Sequence, residues 1–193
     1  MVSKVHLLGV GIDQLTKNDL MDSIDSRIQA GSTTVAYANA HVLNLATKDD
    51  VLSDFLNDAD VVYCDGTGVQ IASILMGDPL PERMTGADWI WDLAARAEGR
   101  WRVYWIGGRP GVSAAAAARL TERHPRLEIQ TDHGFHARSG PANAASIRRI
   151  NAYDPQILLV GMGTPEQENW VLERREQLNA PLVWCLGATA DVV

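Results

Sequence analysis

Asp65 is the residue of this sequence best placed for acid–base chemistry. It follows the apolar run at residues 61–64, which has the composition of a buried strand, and it precedes Gly66, Thr67 and Gly68. A carboxylate held partly out of water has a raised pKa and can serve as a general base. The same position is also typical of a residue that caps the following helix, and the sequence alone leaves both interpretations open.

Two glycine-rich segments have the composition of phosphate-binding loops. Residues 107–111 and 161–163 each lie between a predicted strand and a predicted helix, where main-chain N–H groups and the helix dipole favour an anion. Neither matches the dinucleotide-binding fingerprint G-x-G-x-x-G. The first segment reads G-G-x-x-G, and in the second Glu166 stands where the third glycine would be. Tight turns without a ligand explain each segment equally well, but two such loops at one edge of a sheet favour a nucleotide or sugar-phosphate ligand.

Arg83 is a candidate phosphate ligand, because it lies in the proline-containing segment 79–86 and a guanidinium can donate two parallel hydrogen bonds to an anion. An ion pair with Glu82 or Asp88 is the alternative that the spacing favours slightly more. The sequence therefore identifies Arg83 as a possible ligand without deciding its partner.

No metal site is expected. Asp58 and Asp60 match the D-x-D pattern with which many sugar-nucleotide enzymes bind a divalent ion, but they precede their strand and so fall at the wrong edge of the sheet. His133 and His136 have no further ligand near them in the sequence.

Alternating short strands and longer helices must position these residues. Apolar, β-branched runs, several of them apolar throughout as in strands covered on both faces, predict strands at residues 5–8, 34–38, 61–64, 102–106, 127–131, 157–160 and 182–186. Apolar residues with helical spacing predict helices at residues 19–30, 69–76, 87–97, 112–124, 141–152 and 166–178. The alternation predicts a single-domain α/β fold with a Rossmann-like, mostly parallel sheet, which binds its ligands at the carboxyl ends of the strands.

Composition narrows the class of protein. The chain of 193 residues is 46% hydrophobic with a formal net charge of -7, which predicts one domain with one core. The negative charge argues against a protein that binds nucleic acids or anionic membranes in general, because such proteins need a broad positive surface. Cys64 and Cys185 lie in apolar runs and are expected to be reduced core residues of a cytoplasmic protein. No run approaches the roughly 20 apolar residues of a membrane-spanning helix.

Taken in order, the segments that follow the strands resemble those of the WecG/TagA/CpsF family of glycosyltransferases. The resemblance extends from about residue 5 to residue 193. It is carried by Asn39-Ala40, DGTGV at 65–69, PLPERMTGAD at 79–88, IGGRPGV at 106–112, GMGTPEQE at 161–168 and GATADV at 187–192. Each segment alone is a weak signal, and the specificity lies in their combination.

The resemblance implies an inverting, metal-independent transfer of an N-acetylmannosamine-type or related sugar from a UDP-sugar to a polyprenyl-diphosphate-linked saccharide, in cell-surface polysaccharide or teichoic-acid-type synthesis. It implies that Asp65 is the catalytic base and that Arg83 binds near the diphosphate or the acceptor. The substrate-binding residues that it indicates are Asn39, Gly66, Thr67, Gly107, Gly108, Arg109, Gly163, Gln167 and Asp191. It implies no cofactor and a peripheral position at the cytoplasmic membrane, and it leaves open whether the protein forms a homo-oligomer.

Two features depart from the family pattern. Tyr37 stands where members commonly have a small hydroxyl residue, which is expected to alter donor choice. Members also continue past the position of Val193 with a basic, aromatic-rich segment that docks on the membrane, so residues 1–193 are expected to be the catalytic core without it. The alternative is a core that binds UDP-sugar without transferring it. A nicotinamide-dependent oxidoreductase is disfavoured by the missing glycine fingerprint.

Overall fold

A six-stranded parallel sheet forms the framework of the protein, which a computed structural model describes over residues 2–134 and 139–193. Every neighbouring pair of strands is parallel, which confirms the predicted Rossmann-like α/β fold. In spatial order the strands are β4 (Val61–Cys64), β3 (Thr33–Ala38), β8 (Leu182–Cys185), β7 (Ile157–Gly161), β5 (Arg102–Gly107) and β6 (Glu128–Asp132).

The first predicted strand lies outside this sheet. It corresponds to β1 (Lys4–Leu7), which pairs antiparallel with β2 (Val10–Asp13), a strand that the sequence did not predict. Leu8 and Gly9 join the two strands with positive φ angles of 50° and 84°. Such a two-residue turn has the twist that a β-hairpin requires. The hairpin is therefore a local structure that packs beside the parallel sheet.

Asp13 ties the hairpin to the edge of the main sheet. Its Oδ2 accepts a hydrogen bond from the main-chain N–H of Val62 at 2.8 Å, and the Nζ of Lys4 lies 3.7 Å from the same oxygen. Burial raises the pKa of Asp13, although these two partners oppose the rise. The edge strand β4 thus has one of its main-chain donors satisfied by a side chain rather than by another strand.

Helices connect the strands along the chain. In the described residues they are α1 (Lys17–Asp22), α2 (Ile24–Ala30), α3 (Ala40–Ala46), α4 (Asp50–Asp58), α5 (Thr67–Leu75), α6 (Gly86–Ala97), α7 (Val112–Arg123), α8 (Pro141–Tyr153) and α9 (Glu166–Arg174). Two short 3₁₀ turns follow at Arg175–Gln177 and Thr189–Asp191.

The helices differ from the prediction at the start of the chain. The helix predicted at 19–30 is divided at Ser23, whose hydroxyl donates to the carbonyl of Leu20 at 2.7 Å and so competes with a continuous helix. Helices α3 and α4 were not predicted, because seven and nine residues carry only a weak periodic signal. Burial of residues such as Val42 and Leu52 stabilises both against the core.

An aromatic cluster fills the core beneath β3, β4 and β8. The indoles of Trp89 and Trp184 stack with centroids 4.2 Å apart, and Tyr63 meets both edge-on at 6.2 and 6.1 Å. Such pairs contribute about 0.5–1.5 kcal/mol each beyond the burial of their area. Cys64 and Cys185 are free and buried, which confirms that they are reduced core residues. The cluster packs beneath the strands whose carboxyl ends carry the candidate site and so supports them from within the core.

Candidate active site

A cleft runs along the carboxyl ends of the strands, where the sequence predicted ligand binding. Its two adjoining pockets share Ala188 and have volumes of about 290 and 540 Å³. The smaller one, here the Asp65 pocket, is lined by Tyr37, Asn39, Tyr63, Asp65, Thr85, Gly86, Ala87, Leu186, Gly187, Thr189 and Val192. The larger one, here the glycine pocket, is lined by Gly108, Arg109, Val112, Gly134, Gly161, Met162, Gly163 and Asp191.

Another groove, of about 330 Å³, lies between α4 and α9 at the opposite edge of the sheet. Asp58 lines it, and Asp60 Oδ2 accepts a hydrogen bond from the main-chain N–H of Thr34, near the start of β3, at 2.8 Å. The D-x-D pair therefore lies away from the cleft, as the sequence predicted. This groove contains none of the residues predicted to act on substrate.

Asp65 projects from the end of β4 into the Asp65 pocket. Its main-chain N–H donates to the carbonyl of Ala38 at 2.9 Å, which extends the pairing of β4 with β3 by one residue. Burial is the largest influence on the carboxyl group and raises its pKa, whereas the hydrogen bond from Asn39 and the charge of Arg83 lower it. The helix-cap interpretation is wrong, because the N-cap of α5 is Gly66 and no side chain caps that helix. Asp65 is thus available for chemistry in the cleft.

Asn39 holds the Asp65 carboxylate in place. Its Oδ1 accepts a hydrogen bond from the main-chain N–H of Val42 at 2.9 Å, as the N-cap of α3. Because that bond fixes which end of the amide faces the helix, Nδ2 is directed at Asp65 and donates to its Oδ2 at 3.0 Å. One side chain therefore begins a helix and orients the candidate base.

Arg83 forms the ion pair that the spacing favoured. Its Nη2 lies 3.4 Å from Asp88 Oδ2, and its side chain is 41% exposed. Glu82 is not its partner, since the Glu82 carboxylate accepts a hydrogen bond from the main-chain N–H of Lys17 at 2.8 Å. The charge of Arg83 still acts on Asp65, whose pKa it lowers. Its role as a ligand stays a prediction, and the ion pair does not prevent it.

The glycines at the ends of β5 and β7 allow the main chains of neighbouring strands to approach closely. A Cβ on Gly107 would lie 2.3 Å from the carbonyl oxygen of Gly161, and a Cβ on Gly161 would lie 2.7 Å from that of Gly187. These residues let three adjacent strands β5, β7 and β8 end in close contact. The N–H of Gly108 donates to the Gly161 carbonyl at 2.9 Å and is therefore not free for a phosphate. Gly108 lines the glycine pocket, so contact of Gly107 and Gly108 with substrate stays a prediction, but the Gly108 N–H does not serve it.

The remaining predicted residues are divided between the cleft and its surroundings. Arg109, Gly163 and Asp191 line the glycine pocket, with Arg109 and Asp191 exposed. Gly66 and Thr67 begin α5 beside Asp65 but line neither pocket. Their contacts with substrate stay predictions.

Gln167 lies beneath the cleft wall and is fully buried. Its side chain therefore does not reach the pocket surface, although the family resemblance indicated it as a substrate-binding residue. Its Oε1 accepts the main-chain N–H of Gly187 at 3.0 Å, and its Nε2 donates to Glu168 Oε1 at 2.7 Å. Gln167 therefore holds the main chain that forms the wall shared by the strand ends β7 and β8. Its influence on a ligand passes through Gly187.

Sequence reasoning did not identify Glu168 as a functional residue. Its side chain is only 2% exposed, and burial raises its pKa to about 7. A signal was present: Gln167, Glu168, Trp170 and Val171 form the buried stripe of α9, so a carboxyl group stands where a helix normally presents an apolar residue. A buried carboxyl beside a cleft is a candidate functional group on physical grounds.

The contact between Gly86 and Thr189 was also not predicted. A Cβ on Gly86 would lie 1.8 Å from Thr189 Oγ1, which donates to the Leu186 carbonyl at 2.7 Å. Only glycine lets the first turn of α6 approach the loop after β8 this closely. The contact closes one side of the Asp65 pocket.

The described ranges hold neither a metal-ligand cluster nor a membrane-spanning helix. No three His, Cys, Asp or Glu side chains within residues 2–134 and 139–193 are grouped as metal ligands would be. His133 lies in this part of the chain, whereas His136 lies outside the described residues. The same ranges contain no helix that is both long and apolar enough to cross a bilayer. Metal independence stays a prediction.

Comparison with known proteins supports the resemblance seen in the sequence. The model of the glycosyl transferase WecG/TagA/CpsF family matches residues 5–193. Curated relatives from Staphylococcus aureus strains MRSA252, NCTC 8325 and COL carry the name N-acetylglucosaminyldiphosphoundecaprenol N-acetyl-beta-D-mannosaminyltransferase. Each is 27% identical over 194 residues, which cover 98% of this chain and 75% of the relative.

Proposed function

The chain belongs to the WecG/TagA/CpsF family of glycosyltransferases, and from that premise we propose that it transfers N-acetylmannosamine from a UDP-sugar to N-acetylglucosaminyl-diphosphoundecaprenol. The transferred sugar and the acceptor are those in the names of the Staphylococcus aureus relatives. The observation that carries the proposal is the half-buried Asp65 carboxylate, oriented by Asn39 at 3.0 Å in a cleft at the carboxyl ends of the strands.

Asp65 acts as the general base in this reaction. It takes the proton of an acceptor hydroxyl while the oxygen of that hydroxyl forms a bond to the anomeric carbon of the donor. The bond from the anomeric carbon to the diphosphate breaks in the same displacement, and UDP leaves with the bonding electron pair. A single displacement inverts the anomeric centre, so an α-linked donor would yield the β-mannosaminyl linkage in the relatives' name. The raised pKa of Asp65 makes it a stronger base than a solvated aspartate.

The departing diphosphate needs positive charge and hydrogen-bond donors. Arg109 lines the glycine pocket, and the N-terminus of the twelve-residue helix α7 follows it at Val112, without a side-chain cap. Arg83 lies close enough to Asp65 to influence its pKa and is exposed. Preorganised donors and a helix N-terminus can stabilise developing negative charge by several kcal/mol, so this scheme has no step that requires a metal ion.

The nature of the acceptor determines where the reaction occurs. An undecaprenyl diphosphate is anchored in the membrane, so the cleft would work at the bilayer surface, and a UDP-sugar donor would meet it on the cytoplasmic side. The protein would then be peripheral to the membrane. The product would enter the synthesis of a cell-surface polymer.

A coupled assay of UDP release tests the proposal. The chain is incubated with UDP-N-acetylmannosamine and an N-acetylglucosaminyl-diphosphate acceptor with a shortened lipid, and product is identified by mass spectrometry. Asp65→Asn should lower kcat by about 10²–10⁴-fold, the usual contribution of a general base, while UDP affinity in calorimetry stays within a few-fold. Asp58→Asn, in the groove at the opposite edge, is the matched control. Unchanged turnover in Asp65→Asn refutes the assignment of the base, and UDP binding without any turnover would leave only a binding function.

A further inference from the structure

Glu168 lies at the centre of a buried hydrogen-bond network under the wall of the Asp65 pocket. Its Oε1 accepts from Gln167 Nε2 at 2.7 Å and from Thr164 Oγ1 at 3.0 Å. Thr164 Oγ1 lies 3.1 Å from the Tyr37 hydroxyl, and Gln167 holds the N–H of Gly187. The network therefore joins α9 to two parts of the pocket wall, on β3 and after β8.

The proton count in this network fixes the direction of its hydrogen bonds. With the acid proton of Glu168 on Oε2, which has no hydrogen-bond partner among the described residues, Oε1 is an acceptor only, and the single hydroxyl proton of Thr164 goes to it. Thr164 Oγ1 is then an acceptor toward Tyr37, so the Tyr37 hydroxyl must donate to it. The lone pairs of the Tyr37 oxygen that remain are available to accept a hydrogen bond at the pocket surface.

We propose that Glu168 is a positioning residue for the transfer reaction: as a neutral carboxylic acid it fixes Thr164 and Gln167. Tyr37 is thereby left as a hydrogen-bond acceptor in the pocket, and the main chain at Gly187 is held in one position. This inference rests on the proposed function, because the substrate group that donates to Tyr37 is a hydroxyl or amide N–H of the sugar donor or acceptor.

The surroundings of Glu168 favour its neutral form. Glu168 Oε2 is buried and has no hydrogen-bond partner among the described residues, so a negative charge there would be poorly solvated. Tyr37 on β3, Cys185 on β8 and Glu166 on the same helix are the titratable groups that interact with it, and each is neutral or negative. Burial accordingly raises the pKa of Glu168 to about 7. Where α4 packs against α9, the charged groups lie in the groove at the opposite edge of the sheet and are Asp54, Asp58 and Arg175.

Raising the pH should therefore disturb the pocket wall. Above about pH 7 Glu168 loses its proton, and a carboxylate without a counter-charge lies beneath Gly187 and Tyr37. Water or a cation must then enter the buried network to solvate the carboxylate, which weakens the hydrogen bonds that fix Thr164 and Gln167 to Glu168. Glu168→Gln keeps an oxygen that can accept both hydrogen bonds and cannot ionise, so it mimics the neutral acid.

The test compares pH profiles of kcat and KM for the wild type, Glu168→Gln and Glu168→Ala, with Glu173→Gln on the exposed part of α9 as the matched control. At pH 6, Glu168→Gln should stay within about threefold of wild type, while Glu168→Ala should lose at least tenfold in kcat/KM. The KM of the wild type for the donor should rise between pH 7 and 8.5, whereas that of Glu168→Gln should not. Equal losses in Glu168→Gln and Glu168→Ala at pH 6, or the same alkaline rise in KM in Glu168→Gln and wild type, overturn the proposal.

Thermal unfolding provides a readout that does not depend on activity and remains usable if Glu168→Ala does not fold. Wild type should become less stable relative to Glu168→Gln as the pH rises from 4.5 to 7, because only the wild type must keep a proton on a buried acid. An identical pH dependence of the two proteins overturns the neutral-acid assignment. If the wild type releases no UDP from any donor, the proposed function fails, and this comparison still decides the state of Glu168.

Discussion

Asn39→Asp separates the capping role of this residue from its contact with the candidate base. Aspartate caps a helix about as well as asparagine, so Oδ1 can still accept the N–H of Val42 and α3 should form normally. The other oxygen, however, takes the position of Nδ2, 3.0 Å from Asp65 Oδ2. A hydrogen-bond donor to the candidate base is thereby replaced by a negative charge.

The size of the effect follows from that separation. Two unit charges 3.0 Å apart repel by about 5.5 kcal/mol at an effective dielectric constant of about 20, and by about 1.4 kcal/mol in water. Asp65 is half-buried, so the repulsion lies between these values. Since one pKa unit corresponds to about 1.4 kcal/mol, the pKa of the Asp65 carboxyl should rise by at least about one unit. The two carboxyl groups would then share a proton over part of the working pH range.

The measurement is the acid limb of kcat/KM, recorded from UDP release between about pH 4.5 and 8. A base must be deprotonated to act, so the limb of Asn39→Asp should move about one unit or more to higher pH, with a lower rate at pH 6. Asp49→Asn is the matched control, because Asp49 caps α4 through the N–H of Leu52 and lies away from the cleft. A limb that stays in place in a folded Asn39→Asp protein would refute the assignment of Asp65 as the base.

Three further predictions concern stability. Gly107→Ala places a Cβ 2.3 Å from the carbonyl oxygen of Gly161 and should lower the melting temperature markedly or prevent folding. In Gly68→Ala the added Cβ would make an ordinary van der Waals contact with Ala40 Cβ at 3.7 Å, so this helical substitution should be neutral or stabilising by up to about 1 kcal/mol. Asp13→Ala leaves a buried main-chain N–H of β4 unpaired and should cost about 1–3 kcal/mol in urea unfolding; no loss would show that water replaces the carboxylate. As the pH rises from 4.5 to 7, the free energy of unfolding of Glu168→Gln should increase by about 3 kcal/mol relative to that of the wild type, with no further increase above pH 7. An identical dependence of the two unfolding free energies on pH would contradict this.

The pattern of apolar runs was sufficient to predict the main sheet. Runs such as residues 157–160 and 182–186 are apolar throughout, and only strands covered on both faces tolerate that composition. The β1–β2 hairpin was not predicted correctly, because a run of four residues carries the same composition whether it pairs inside the parallel sheet or beside it. Its partner was decided by the turn at Leu8 and Gly9 and by the contact of Asp13 with β4.

The position of Asp65 and the edge at which the loops converge were determined by the sequence alone, because residues that follow parallel strands must meet at one end of the sheet. Whether Asp65 caps α5 or faces the cleft was decided only by the tertiary structure, in which Gly66 takes the cap position and Asn39, the N-cap of α3 just after the neighbouring strand β3, donates to Asp65. That contact joins residues 26 positions apart, so no local pattern records it.

Gln167 and Glu168 show most clearly what the sequence determines and what only the tertiary structure decides. Both follow a glycine-rich loop at the start of a helix; the family resemblance indicated Gln167 as a substrate-binding residue, and nothing in the sequence singled out Glu168. The structure turns them inward, against Gly187 and Thr164, because the loops after β7 and β8 close over the start of α9. Sequence determines which groups arrive at the cleft edge, since strand order along the chain fixes that. Only packing among distant segments decides which of them stay in solvent and which are buried, and burial is what raises the pKa of a carboxyl group such as Glu168.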